Sequence, residues 1–288
     1  MLLAEAYKRP FTQTMTINCK GTLIDLATPK IMGILNVTPD SFFDGGKHNH
    51  ERAFLLQAEK MLSEGATFLD IGGYSSRPGA EDVSEVEELN RVIPAVESLL
   101  ENFPEAIISI DTFRSEVAKK CIEAGAAMVN DISAGNLDPE MMPTVAKLQV
   151  PYVAMHMKGT PKTMNSQTQY KNPTQEIVQY FSEKLAAARE LGINDIIVDP
   201  GFGFAKTTAQ NFELLNNLAL FKALDVPLLV GISRKSMIYK NLGISPEEAL
   251  NGTTALHSIA LLKGAHILRV HDVKEAMECV KLMENFKN

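Results

Sequence analysis

Along nearly the whole chain, short apolar runs alternate with longer stretches whose apolar positions recur every three or four residues. The short runs predict strands at KIMGIL (30–35), TFLDI (67–71), AIISI (106–110), MVN (128–130), YVAM (152–155), DIIV (195–198), PLLVG (227–231) and HILRV (266–270). The longer stretches predict helices at 51–65, 83–103, 114–125, 138–149, 173–192, 207–225, 245–264 and 272–286. Several end on a glycine just past the last periodic residue, and others open on Ser, Thr or Asp, as helix ends do.

Eight strand–helix cycles point to an α/β fold, a (β/α)8 TIM barrel running from about residue 30 to 288. A doubly wound open sheet would use fewer units and place GxGxxG after its first strand, and neither pattern is present. Ahead of the first cycle, MTINCKGTLIDLA alternates apolar and polar residues around CKGT. It predicts a β-hairpin over about 15–27 that caps the barrel floor. No linker or composition shift divides the chain, so residues 1–288 are expected to form a single domain.

A barrel keeps its chemistry on the loops that follow its strands. Here the first strand ends on Asn36, GGYSSRPGA follows the second and Asp111 the third. The fourth ends in Asn130-Asp131 and the fifth in Met155-His156, while DPGFGFAK, GISRKS and RVHD follow the last three. Polar groups remote in sequence are therefore expected at one mouth.

Composition narrows the partners. A net charge of -7 argues against a general nucleic-acid binder, yet leaves room for a local cationic cluster that takes an anion. Cys19, Cys121 and Cys279 form no CxxC pair, which suits a reducing compartment without disulfides or a zinc site. MLLAEAYKRPFTQ has no signal-peptide core, and no apolar stretch approaches the roughly 20 residues that span a bilayer. A cytoplasmic protein with no membrane or nucleic-acid partner is expected.

Three chemistries are visible at the strand ends. Arg269 and His271 share parity on the last strand, so both side chains face one side, where an anion would sit. A structural ion pair for Arg269 and a helix cap for His271 are the competing reading. Asp111, Asn130 and Asp199 supply acceptors, and an amide beside them, for the donor edge of a flat heterocycle; capping of the next helix competes for any single Asp. Lys235 in GISRKSM can stabilise negative character on a ring atom, with Arg234 turned elsewhere. Met155 and Phe204 would wall the slot, unless they are plain core. Asn36 together with a diphosphate suits a hard cation that keeps most of its waters.

ILNVTPDSFFDGG, DIGGYSSRPGA, SIDTFRSEVA, VNDISAG, MHMKGTPKTM, VDPGFGFAK, GISRKSMI and ILRVHDV, in that order from about Lys30 to the C-terminus, resemble the successive signatures of the dihydropteroate synthase family, part of the wider pterin-binding (β/α)8 group. The resemblance implies condensation of 6-hydroxymethyl-7,8-dihydropterin diphosphate with 4-aminobenzoate, giving 7,8-dihydropteroate and diphosphate. It implies Asp111, Asp199, Lys235 and Arg269 as catalytic groups. The pterin would lie against Asp111, Asn130, Met155, Asp199, Phe204, Lys235 and Arg269. The diphosphate would be held by Asn36, Ser76, Arg77, Arg269 and His271, with Mg2+ at Asn36. The aminobenzoate would sit by Ser236, Arg77 and Lys235. A homodimer and sulfonamide binding are also implied.

Two departures from the family pattern stand out. Tyr74 and Ser76 replace an acid and a threonine, and Ala205 replaces a usual glycine. A methyltetrahydrofolate methyltransferase and a non-catalytic pterin-binding paralogue are the rival readings. The first would bind no diphosphate, and the second would be expected to have lost Asn36, Asp111 or Arg269.

Overall fold

The computed structural model describes residues 15–37, 47–74 and 83–286. Strands β1 (Thr16–Cys19) and β2 (Thr22–Asp25) form the expected antiparallel hairpin. Lys20 and Gly21 both take positive φ, +52° and +89°, the two-residue turn whose twist matches that of the flanking strands.

Eight parallel strands follow: β3 (Lys30–Asn36), β4 (Phe68–Gly72), β5 (Ile107–Asp111), β6 (Met128–Asp131), β7 (Tyr152–Met155), β8 (Ile196–Asp199), β9 (Leu229–Val230) and β10 (Ile267–Val270). Their order in the sheet is β8-β7-β6-β5-β4-β3-β10-β9. The cylinder closes where the Val198 N–H donates to Pro227 O at 3.0 Å and Val198 bridges Leu228. Around it lie α1 (Lys47–Ser63), α2 (Glu85–Asn102), α3 (Ser115–Glu123), α4 (Met141–Leu148), α5 (Pro173–Glu190), α6 (Thr208–Asn216), α7 (Ser236–Leu242), α8 (Leu250–Leu262) and α9 (Val273–Glu284).

The period of two along each strand sorts residues into two cores. Ile31, Leu69, Ile71, Ile108, Ile110, Val129, Val198, Val230 and Leu268 face outward into the layer shared with the helices. Met32, Phe68, Met128, Val153, Ile197, Leu229 and Ile267 face inward and pack with Ile17, Cys19 and Leu26 of the hairpin. The hairpin therefore plugs the floor, and the Asn18 N–H ties it to β8 by donating to Asp195 Oδ2 at 2.9 Å.

Two helix expectations are corrected. The stretch 207–225 is broken: α6 stops at Asn216 and a 3-10 helix covers Leu218–Leu224. The paired Asn216-Asn217 favours helix termination over continuation. Ser236–Leu242, assigned to no helix from the sequence, forms α7, and Gly243 ends it in the left-handed region at φ +67°. The helix expected from 245 starts only at Leu250. Among the described residues no helix is long and apolar enough to cross a membrane. Cys19, Cys121 and Cys279 are all free and buried.

Candidate active site

Two residues above the apolar floor, the same inward column changes character. Phe68 is followed by Asp70, Met128 by Asn130, Ile197 by Asp199, Leu229 by Gly231 and Ile267 by Arg269. Register aligns the upper rim: Asn36 pairs with Gly72, Gly72 with Asp111 and Asp111 with Asn130. These groups thus stand in one row across four neighbouring strands.

Carboxylates and cations interlock inside this ring. Asp70, with no exposed surface, accepts from Ser109 Oγ at 2.6 Å, Asn130 Nδ2 at 3.0 Å and Arg269 Nε at 2.6 Å. Arg269 Nη2 donates to Asp111 Oδ2 at 2.6 Å. Asp199 Oδ1 accepts the Gly201 N–H at 2.8 Å. Lys235 Nζ donates to Phe202 O and lies 4.7 Å from the centre of the Phe204 ring. A methyl carbon placed on Gly231 would be 3.8 Å from Asp199 Oδ2, 3.9 Å from Arg269 Cβ and 3.9 Å from Lys235 Nζ. Asp199 Oδ2, Lys235 Nζ and the base of the Arg269 side chain, brought from three βα units, therefore surround one point.

Burial and charge set their protonation. Burial, reinforced by Asp70 and opposed by Arg269, pushes the Asp111 carboxyl up to about 7. Burial also raises Asp199, against the pull of Lys235 and the Gly201 N–H. Lys235 is drawn down to about 8 by burial, with Asp199 resisting. Burial would lower Arg269 too, but Asp70 and Asp111 outweigh it and hold the guanidinium above its ordinary value.

The remaining expected residues lie in several places. Met155 and Phe204 join Ile132, Met157, Met164 and Ala205 in a small apolar cluster, with Phe204 at its partly buried margin. His271 on the loop after β10 lies beside Ser233, whose Oγ is 3.0 Å from its Nδ1 and accepts its backbone N–H at 3.2 Å. Ser236 opens α7 directly after Lys235. Ser76 and Arg77 lie outside the described residues, as does most of the loop after β3. Arg234 is turned away as expected: at φ +53° it forks onto Asp272, with 2.8 Å bonds from Nε and Nη2, and donates to the Pro246 and Glu247 carbonyls.

Tyr74 starts the second βα loop edge-on to Phe113, with ring centres 5.1 Å apart. The Arg114 guanidinium lies 5.5 Å from the Tyr74 ring and 5.0 Å from Phe113, and it pairs with buried Glu88. This aromatic–cation stack ties the start of the second βα loop to the β5–α3 connection.

Two features escaped the sequence reading. Asp70 sits within TFLDI with the same parity as Phe68, and an acid in a fully buried strand was the available signal. Lys206 ends DPGFGFAK. Its Nζ donates to Gly201 O at 2.9 Å and Phe204 O at 3.0 Å, and lies 3.1 Å from His156 Nδ1, bracing the loop that carries Asp199.

Among the described residues no three His, Cys, Asp or Glu side chains gather as a metal cluster. The exposed Asn36 offers one neutral amide oxygen at the rim. Such a donor fits a hard cation coordinated mainly by water and ligand oxygens.

Residues 32–271 match the model of a family described as pterin binding enzyme. The dihydropteroate synthase of Escherichia coli is 45% identical over 272 residues, spanning 94% of this chain and 96% of that one. A Xanthomonas albilineans dihydropteroate synthase solved with 4-aminobenzoic acid superposes with a TM-score of 0.87 at 40% identity, covering 95% of this chain and 98% of that one. A Yersinia pestis dihydropteroate synthase in a sulfonamide drug complex gives 0.88 at 43% identity, covering 95% and 99%.

Proposed function

The chain belongs to the pterin-binding enzyme family, and we propose from that premise that it condenses 6-hydroxymethyl-7,8-dihydropterin diphosphate with 4-aminobenzoate to form 7,8-dihydropteroate and diphosphate in folate synthesis. The observation that carries this reading is the convergence of Asp199, Lys235 and Arg269 on one point above the barrel floor. A methyl-transfer reading would leave Arg269 and His271 without an anion to bind.

The pterin lies in the slot with its donor edge on Asp199, Asn130 and Asp111, and Lys235 meets a ring acceptor. Arg269, His271, Asn36, Ser76 and Arg77 take the diphosphate. The bond from the pterin methylene carbon to the diphosphate oxygen breaks with its electron pair leaving on oxygen. The electron-rich ring delocalises the resulting positive charge, and the carboxylates of Asp111 and Asp199 stabilise it. The aminobenzoate, its carboxylate near Ser236 with Arg77 and Lys235 close by, then adds its amine nitrogen to that carbon, and the nitrogen passes its extra proton to solvent water. Fixed charges in a sheltered mouth do this without reorganising, and because the amine is itself the nucleophile no catalytic Ser or Cys is needed.

Mg2+ at Asn36 would neutralise charge on the leaving diphosphate. The Yersinia pestis relative holds a sulfonamide drug, and this chain is proposed to take such drugs in the aminobenzoate place, with the Tyr74 stack influencing the response. A homodimer is proposed through the barrel helices, where Leu242, Ile259, Leu262 and Leu282 are exposed. Three buried free thiols fit the reducing cytoplasm.

The test is diphosphate release and dihydropteroate formation with both substrates, with each alone, and with chelator. Product only when both substrates and Mg2+ are present is expected. No dihydropteroate with both substrates and Mg2+ present overturns the synthase reading.

A further inference from the structure

We propose that Asp70, sealed beneath the mouth, is a positioning residue for this reaction: it fixes which end of the Asn130 amide reads the pterin and which edge of the Arg269 guanidinium meets the diphosphate. The inference rests on the synthase reading and adds to it a residue that touches neither substrate.

A carboxylate only accepts hydrogen bonds. Because Asp70 Oδ2 receives Asn130 Nδ2 at 3.0 Å, the amide cannot turn over without facing its own oxygen to that carboxylate. Among the described residues Asn130 Oδ1 receives no hydrogen bond, so the end left for the ligand is an acceptor. A ring edge carrying N–H donors is accepted there, and an edge of bare acceptors is refused.

The same oxygen receives Arg269 Nε at 2.6 Å, while Nη2 goes to Asp111. Nε and Nη2 form one edge of the planar fork, so Asp70 and Asp111 together turn that edge inward. The opposite edge, with Nη1, is left to an anion. Ser109 Oγ, the register partner of Asp70 on β5, donates to Oδ1 at 2.6 Å and holds the carboxylate in plane. One buried group thus ties β4, β5, β6 and β10 into a single donor–acceptor pattern. Its exposure is 0%, which keeps it out of reach of any substrate.

Asp70→Asn tests this, because its amide can satisfy Asn130 and Arg269 in one orientation only and without charge. We expect the KM for the pterin diphosphate to rise at least tenfold while that for aminobenzoate stays within twofold. In an Asn130→Ala background the same substitution should have an effect at least threefold smaller, since part of its action runs through that amide. Equal changes in both KM values, full additivity with Asn130→Ala, or a pterin KM within twofold of wild type each overturn the proposal. If Asp70→Asn does not fold, Ser109→Ala takes its place, with a smaller shift in the same direction expected and no shift counting against the idea. Wild-type turnover is assayed beside the variants, and calorimetric binding of the pterin alone is measured for all of them. Loss of product in wild type would sink the synthase reading, whereas a calorimetric affinity unchanged by Asp70→Asn would sink only the role of Asp70.

Discussion

Arg269 Nη2 donates to Asp111 Oδ2 at 2.6 Å although 158 residues separate the two in sequence. The guanidinium proposed to take the diphosphate is thus already clasped by two acids, Asp70 and Asp111. Removing it leaves Asp70 and Asp111 without their counter-charge. Arg269→Ala should lower unfolding stability by about 3 kcal/mol, the scale for breaking a buried pair, and cut diphosphate release by at least about 100-fold, the effect of losing one preorganised charge-stabilising donor. Denaturant unfolding and a release assay check both. Release equal to wild type would remove Arg269 from the mechanism.

The two shifted groups of the mouth predict a narrow pH optimum. In the proposed mechanism Asp111 must be ionised to stabilise the pterin cation, so activity should rise as pH passes about 7. Lys235 must be protonated to meet a ring acceptor, so activity should fall as pH passes about 8. The profile of kcat/KM is expected to be bell-shaped between those limbs. Lys235→Arg, which keeps its charge, should lose the alkaline limb even if its overall rate is lower.

Outside the mouth, His156 makes stability depend on pH. Burial, aided by Lys206, lowers its ring from 6.5 to about 2. The unfolded chain therefore binds a proton there at a pH where the folded one does not, and stability is lost as pH falls below about 6.5. At about pH 5 the loss is about 2 kcal/mol. Asp111 works in the opposite sense: its raised carboxyl binds a proton in the folded state between about 4 and 7, so stability falls as pH rises through that window. His156→Asn keeps an acceptor for Lys206 and leaves the Asp111 contribution in place. Its stability should decline less than that of wild type between about pH 7 and pH 5, as read by denaturant unfolding at each pH; parallel declines would refute the assignment.

Gly201 and Ala205 both sit at positive φ, +70° and +50°, in the loop that carries Asp199, yet they should tolerate change differently. A methyl on Gly201 would stand 2.1 Å from His156 O, a backbone atom that cannot give way. Gly201→Ala should cost at least about 3 kcal/mol from clash and left-handed strain together. At Ala205, relief of about 1 kcal/mol of left-handed strain is offset by glycine's greater unfolded freedom, about 0.4–1 kcal/mol, and by the loss of a buried methyl, about 0.8 kcal/mol. Ala205→Gly should therefore lie within about 1 kcal/mol of neutral. Thermal unfolding of the two variants decides it.

The sequence alone determined the strand–helix alternation, the hairpin plug and the rim positions of Asp111, Asn130, Asp199, Lys235 and Arg269. Those follow from periodicity and from residues standing next to strand ends, both of which are local properties of the chain. It misjudged the 207–225 helix and missed α7, because apolar periodicity runs on across a local break such as Asn216-Asn217 and is too short to register over seven residues. It anticipated that Arg234 would turn away from Lys235, but not that a left-handed φ at Arg234 would do the turning or that Asp272 would receive it. Only tertiary structure decided that Asp70 couples four strands, since a carboxylate's partners are fixed by register and closure of the sheet, and no local pattern encodes a contact between β4 and β10.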